Sequence, residues 1–116
     1  MSERPDDIAR LTAALRAFAA ERDWDQFHAP KNLAAALIVE AGELLEHFQW
    51  LSEEQSRRLD DATRRQVEEE IADVLLYLLR LADVLGIDPV AAADRKIVRN
   101  AEKYPAHEVR GRSDKR

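Results

Sequence analysis

The sequence predicts an all-α fold, a four-helix-bundle-like arrangement, and three observations carry that prediction. Only three glycines and four prolines occur among 116 residues, and most of them fall where helix boundaries are expected. Apolar residues recur at the three-to-four-residue spacing of amphipathic helices. No repeat with a period of about 20 to 50 residues is present, which argues against a solenoid.

The first two predicted helices begin at recognisable boundary residues. After Pro5 and the possible N-cap Asp6, apolar residues follow helical spacing to about Glu21. Pro30 can open a second helix, which continues to about Leu51. Because this second helix is apolar around much of its circumference, we expect a partner subunit to bury part of it.

The middle of the chain contains two capping patterns. Ser52 and Gln55 have the spacing of a capping pair for a short turn. Thr63 and Gln66 repeat that spacing before a long apolar run, and they predict the start of a third helix. Gly86 is the expected stop of this helix.

The fourth predicted helix begins with a cap followed by proline. Asp88 and Pro89 provide that start, and the helix should end before Pro105. We therefore predict a single all-α domain over residues 1–105 and a flexible C-terminal tail over residues 106–116.

Composition excludes several classes of function. Hydrophobic residues at 46% and charged residues at 35% indicate a folded globular chain. The net charge of -5 gives no general attraction for nucleic acid or an anionic membrane, so a phosphate ligand needs local cations or a metal. There is no cysteine, and therefore no disulfide or thiolate zinc site. The charged first ten residues lack an apolar signal segment, and we expect a cytoplasmic protein.

Two predicted helices direct acidic pairs toward their own apolar faces. Glu40 and Glu43 are three residues apart on the second helix, and Glu70 and Asp73 are three residues apart on the third. Antiparallel packing of these helices would bring four carboxylates together. Such a cluster repels itself unless a cation neutralises it. Oxygen ligands without cysteine favour Mg²⁺, with Mn²⁺ possible, and Mg²⁺ commonly binds substrate phosphates as well.

Other interpretations of the acidic pairs stay open at this point. The carboxylates could form salt bridges with neighbouring arginines, or could be solvated on a helical interaction module without catalytic activity. A di-iron bundle is disfavoured, because no glutamate here has a histidine three residues later.

Three segments together resemble a known family. "EAGEL", "EEEIADVLLYLL" and "KIVRNAEKYP" occur in the order found in MazG-like all-α nucleoside triphosphate pyrophosphohydrolases, whose pattern is E-x-x-E, a spacer, then E-x-x-D. The segment "WDQFHAPKNLAAALIVEAGELLEHFQW" is most similar to the small dCTP pyrophosphatase branch. The resemblance covers about Trp24 to Pro105, and it implies an oligomeric MazG-type fold.

The resemblance implies Mg²⁺-dependent hydrolysis between the α and β phosphates, which yields a nucleoside monophosphate and pyrophosphate. It assigns Glu40, Glu43, Glu70 and Asp73 as metal ligands and catalytic residues, and Glu43 or a neighbour could orient the attacking water. The implied role is house-cleaning of the nucleotide pool, with dCTP or a modified dCTP favoured. dUTP or a noncanonical purine nucleotide is the alternative substrate.

The resemblance also implies substrate-binding residues. Lys96, Asn100, Lys103 and Tyr104 match the triphosphate-binding segment, although a basic last turn could simply complement the helix dipole. Flat aromatic and imidazole rings suit a base pocket, and the candidates for it are Trp24, Phe27, His28, Trp50 and Tyr77. Asn32 could contact base or sugar, or cap the backbone near its helix start. The implied partners are a nucleoside triphosphate and further copies of this chain, as a dimer or tetramer, without nucleic acid polymer or membrane.

Overall fold

A computed structural model describes residues 6–113, and every regular element among them is helical. The six α-helices are α1 (Asp7–Glu21), α2 (Pro30–Glu46), α3 (Glu53–Ser56), α4 (Asp61–Leu85), α5 (Pro89–Lys103) and α6 (Ala106–Val109). A single 3₁₀ turn, Asp25–Phe27, lies between α1 and α2. The predicted all-α fold class is therefore confirmed, while Pro5 lies outside the described residues.

The chain divides into two compact units after Gly86. In the first unit, α4 packs against both α1 and α2. The buried apolar residues come from these three helices and are Ala19, Leu33, Val67, Leu79 and Ala82. The second unit consists of α5 and α6 and is described by itself. The first unit therefore holds the core that positions the acidic pairs.

Several predicted helix boundaries are confirmed by their caps. Ser52 and Gln55 form a reciprocal capping box at the start of α3. Asp88 accepts hydrogen bonds from the first backbone N–H groups of α5, and Pro89 is its first residue. Gly86 ends α4 with φ of 69°, in the left-handed region where a Cβ is unfavourable.

Two predicted boundaries are wrong. The α-helical part of α2 ends at Glu46 rather than Leu51, because the following turn tightens: the N–H of Phe48 donates to the carbonyl of Leu45 at 2.8 Å. Helix α4 starts one turn before the predicted Thr63 cap. Asp60 is its N-cap and accepts a hydrogen bond from the Thr63 N–H at 2.7 Å.

The C-terminal part of the described chain contains the short helix α6, which lies within the predicted tail. The division into a domain over residues 1–105 and a flexible tail stays a prediction. None of the helices in residues 6–113 has the length and apolar character that crossing a lipid bilayer would require.

Candidate functional site

Three of the predicted metal ligands meet where α2 packs against α4. Glu40, Glu43 and Glu70 each place a carboxylate oxygen within 4.8 Å of the others. One oxygen each of Glu40 and Glu70, Oε2 in both, is buried without a hydrogen-bond partner in the described chain. A buried polar oxygen without a partner is costly, so the donor set fits a cation better than it fits a protein-only arrangement.

The electrostatics of this three-glutamate cluster follow from burial and mutual repulsion. Burial, together with Glu43 and then Asp73 and Glu70, raises the pKa of Glu40 from 4.5 to about 7. Burial and the Glu43 carboxylate also raise the pKa of Glu70, which His47 partly opposes. His47 Nε2 lies 4.0 Å from Glu70 Oε1. All of these contributions except that of His47 disfavour the charged carboxylates, and a divalent cation would reverse that preference.

A cavity of about 210 Å³ lies in the same unit as the cluster. Its lining residues are Leu15, Phe18, Ala19, Trp24, His28, Leu33, Asp73, Leu76, Tyr77 and Arg80. The Trp24 ring meets Phe18 edge-on at 5.7 Å and His28 at 6.4 Å between ring centroids. Asp73 lines this cavity and is absent from the three-glutamate cluster, so its role as a metal ligand stays a prediction.

Comparison with known proteins identifies the family of this chain. The model of the MazG-like family matches residues 35–115, a span that contains both acidic pairs. The chain belongs to the MazG-like family. The family predicted from the E-x-x-E and E-x-x-D patterns is thereby confirmed.

Named relatives of this MazG-like chain are dCTP pyrophosphatases. It is 44% identical over 108 residues to dCTP pyrophosphatase 1 of Rattus norvegicus, covering 91% of this chain and 62% of that protein. For dCTP pyrophosphatase 1 of Homo sapiens, the identity is 44% over 112 residues, covering 95% and 64%. The chain thus spans less than two thirds of the length of these relatives.

A solved structure supports the same fold. The crystal structure of a pyrophosphatase from Archaeoglobus fulgidus matches with a TM-score of 0.82 and 42% sequence identity. The match covers 90% of the MazG-like chain and 98% of the archaeal chain.

The structure brings some predicted base-pocket residues together and leaves others apart. Trp24, His28 and Tyr77 line the cavity of the MazG-like chain. Trp50 is 87% exposed and Phe27 is 59% exposed, and neither lines this cavity. The side-chain amide of Asn32 donates to the backbone carbonyl of Phe27 at 3.2 Å, which favours its backbone-capping alternative.

The predicted triphosphate-binding residues lie along one side of α5 in the second unit. Lys96, Asn100 and Lys103 line a polar concavity of about 390 Å³ together with Arg99 and Glu102. The Lys103 ammonium lies 5.5 Å from the centroid of the Tyr104 ring. Three predicted residues therefore share one cationic surface, as phosphate binding requires.

Sequence analysis did not identify one buried group that lines this cavity, the guanidinium of Arg80. Its side chain is 10% exposed and donates to Asp25 at 2.6 Å, to His28 Nδ1 at 3.0 Å and to Asp83 at 3.4 Å. Asp83 also accepts two hydrogen bonds from Arg16, at 2.6 and 3.1 Å. The available signal was a single arginine inside the apolar run "VLLYLLRLADVL".

Proposed function

We propose that this protein is a Mg²⁺-dependent nucleoside triphosphate pyrophosphohydrolase that cleaves between the α and β phosphates. dCTP or a modified dCTP is the favoured substrate, and house-cleaning of the nucleotide pool is the role. The observation that carries the proposal is the cluster of Glu40, Glu43 and Glu70, with two buried oxygens that have no partner in the described chain. Its presence in a relative of dCTP pyrophosphatase 1 supports the reaction and the substrate.

The acidic side chains have distinct tasks in this proposal. Glu40, Glu43 and Glu70 hold the metal, with Asp73 as the fourth predicted ligand. Mg²⁺, or Mn²⁺ in its place, would when bound there supply positive charge that offsets the triphosphate and polarises the α-phosphoryl group. A carboxylate of the cluster, Glu43 or a neighbour, orients the attacking water and accepts its proton.

Substrate binding is assigned to aromatic and cationic side chains. Trp24 and Tyr77 offer flat faces for stacking on a base, and His28 offers a hydrogen bond. Lys96 and Lys103 bind phosphate oxygens as point charges. The remaining predicted contacts are Asn32, Trp50, Asn100 and Tyr104. The location of Trp24, His28 and Tyr77 around one cavity supports this assignment.

We further propose a cytoplasmic homo-oligomer, a dimer or tetramer. Apolar side chains on α2 support it, because Ile38 is 71% exposed, Val39 is 59% exposed and Leu45 is 60% exposed. Several large apolar side chains exposed on one helix are typical of an interface rather than of a monomer's solvent-facing side.

The test is a panel of canonical and modified nucleoside triphosphates incubated with Mg²⁺, with products identified by ³¹P NMR. We expect the monophosphate and pyrophosphate, with dCTP or a modified dCTP turned over fastest. Fast turnover of dUTP or a noncanonical purine nucleotide would assign the alternative substrate. Release of orthophosphate, or no turnover of any triphosphate, would contradict the proposed reaction.

A further inference from the structure

The contact between Arg80 and His28 has a chemical consequence for the cavity. Arg80 Nε donates to His28 Nδ1 at 3.0 Å. A guanidinium carries only donors, so Nδ1 must be the acceptor and cannot carry a hydrogen in this arrangement. The hydrogen of the neutral imidazole is then on Nε2, the other ring nitrogen. Within residues 6–113, Nε2 has no hydrogen-bond partner.

The guanidinium is itself fixed by its surroundings. Arg80 is 8% exposed, and two carboxylates hold it, Asp25 Oδ1 at 2.6 Å and Asp83 Oδ2 at 3.4 Å. Arg16 binds the same Asp83 carboxylate from α1. A guanidinium restrained in this way cannot rotate away from His28 Nδ1 without breaking two ion pairs.

We propose that Arg80 is a positioning residue, which fixes His28 as the neutral tautomer with hydrogen on Nε2. His28 lines the cavity, so Nε2–H is the donor that its ring offers to a ligand there. This donor selects a ligand with an acceptor, such as a carbonyl oxygen or an unprotonated ring nitrogen of a base. The selection of a nucleobase rests on the proposed function, but the tautomer rests only on the contacts of Arg80.

The charges around His28 support a neutral ring. Burial and the Arg80 guanidinium lower the pKa of His28, and the Asp25 carboxylate opposes them. Asp73 and Tyr77 are the other titratable side chains that line the cavity. Protonation would turn Nδ1 into a donor facing another donor, so an imidazolium would lose the Arg80 hydrogen bond.

The test is a long-range ¹H–¹⁵N correlation spectrum of the ¹⁵N-labelled full-length protein, recorded across a pH titration. We expect His28 Nδ1 to resonate as an unprotonated nitrogen and Nε2 as a protonated one. In Arg80→Met, both tautomers should become populated and the pKa of His28 should rise, because Asp25 is then the nearest charge. The matched control Arg16→Met removes a guanidinium from the same Asp83 and should leave the His28 signals unchanged.

Nucleotide kinetics give a second readout. We expect Arg80→Met to raise KM for the best nucleotide of the panel about tenfold, and to change kcat much less, because a binding hydrogen bond is lost. Arg80→Lys, which keeps a donor, should recover part of that loss. Hydrogen on Nδ1 in the wild-type spectrum would overturn the proposal even if Arg80→Met fails to fold. An unchanged KM in a folded Arg80→Met would also overturn it, whereas absent hydrolysis in the wild type would overturn the proposed function alone.

Discussion

At the scale of single residues, Glu40 shows why metal binding should change the stability of the fold. Its Oε2 is buried without a partner in residues 6–113, and three other carboxyl groups contribute to its raised pKa. Such a group is tolerated as a neutral acid or as a metal ligand, and it is unfavourable as a bare carboxylate. Acidity and metal binding should therefore both stabilise the fold.

The contribution of Glu40 to the stability of the metal-free protein should fall as pH rises. The pKa of Glu40 is about 7 in the folded chain and 4.5 as its ordinary value, so its contribution is fully present below pH 4.5 and is lost as pH passes about 7. Thermal unfolding in EDTA should show the Tm of the wild type decreasing across this range relative to the Tm of a variant without the Glu40 carboxyl group, and Mg²⁺ should raise the wild-type Tm most at the alkaline end.

The matched variant for this pH dependence is Glu40→Gln, which keeps the shape of the side chain and removes its titration. It should lack the pH-dependent contribution of Glu40 to Tm in EDTA, and it should be stabilised less by Mg²⁺. A difference in metal-free Tm between the wild type and Glu40→Gln that stays constant between pH 5 and pH 8 would contradict the account of Glu40.

The sequence identified the acidic pairs because their signal is local. Residues three apart share a helix face, so Glu40 with Glu43 can be recognised from spacing alone. Arg80 could not be recognised in this way, because its partners Asp25 and His28 are 55 and 52 positions away. Only packing of α4 against the segment before α2 brings these side chains together.

At the scale of helices, boundaries are set by backbone chemistry that is partly visible in the sequence. The caps of α3 and α5 are predictable because Ser and Asp are residue types that accept hydrogen bonds from the first N–H groups of a helix. Ser52 and Asp88 do so in the structure. The end of α2 was not, because apolar periodicity continues through Phe48 and Leu51 while the hydrogen bonds tighten. Periodicity reports which face is apolar, and it does not report where the α-helical hydrogen bonding stops.

Glycine to alanine substitutions at two positions should have opposite effects on stability. Gly86→Ala should destabilise the protein by about 1 kcal/mol, because φ of 69° at the end of α4 is unfavourable for a residue with a Cβ. Gly42→Ala should stabilise it by about 0.5 to 1 kcal/mol, since the position is inside α2 and a Cβ there meets nothing within 4 Å. Urea unfolding measures both, and equal effects of the two substitutions would contradict these backbone roles.

At the scale of the whole molecule, the buried core is small for the amount of apolar surface that stays exposed. The five buried apolar residues of the first unit include two alanines, while Ile71 on α4 is 53% exposed. The fold class was predictable from the residues at helix boundaries, and the family was predictable from the order of the motifs. Exposed apolar surface was predictable for α2, because that helix is apolar around much of its circumference. It was not predictable for α4, because the exposure of Ile71 depends on which neighbours pack against that helix.

The proposed homo-oligomer predicts a specific response to a charge on α2. Ile38→Glu places a carboxylate on an apolar surface that association would bury, so it should shift the protein toward monomer. Light scattering coupled to size-exclusion chromatography measures the mass directly. Lys31→Glu, an exposed polar position on the same helix, is the control that should leave the mass unchanged. A monomeric wild type would contradict the proposal.

The most direct test of the central claim is the Mg²⁺ dependence of triphosphate hydrolysis by Glu43→Gln, compared with the wild type and with Glu46→Gln. Glu43 belongs to the three-glutamate cluster, whereas Glu46 is an exposed residue of the same helix outside it. We predict that Glu43→Gln stays folded and loses about 100-fold in rate at saturating substrate, while Glu46→Gln retains wild-type activity. Mg²⁺-dependent hydrolysis by Glu43→Gln at nearly the wild-type rate would contradict the assignment of this cluster as the metal centre.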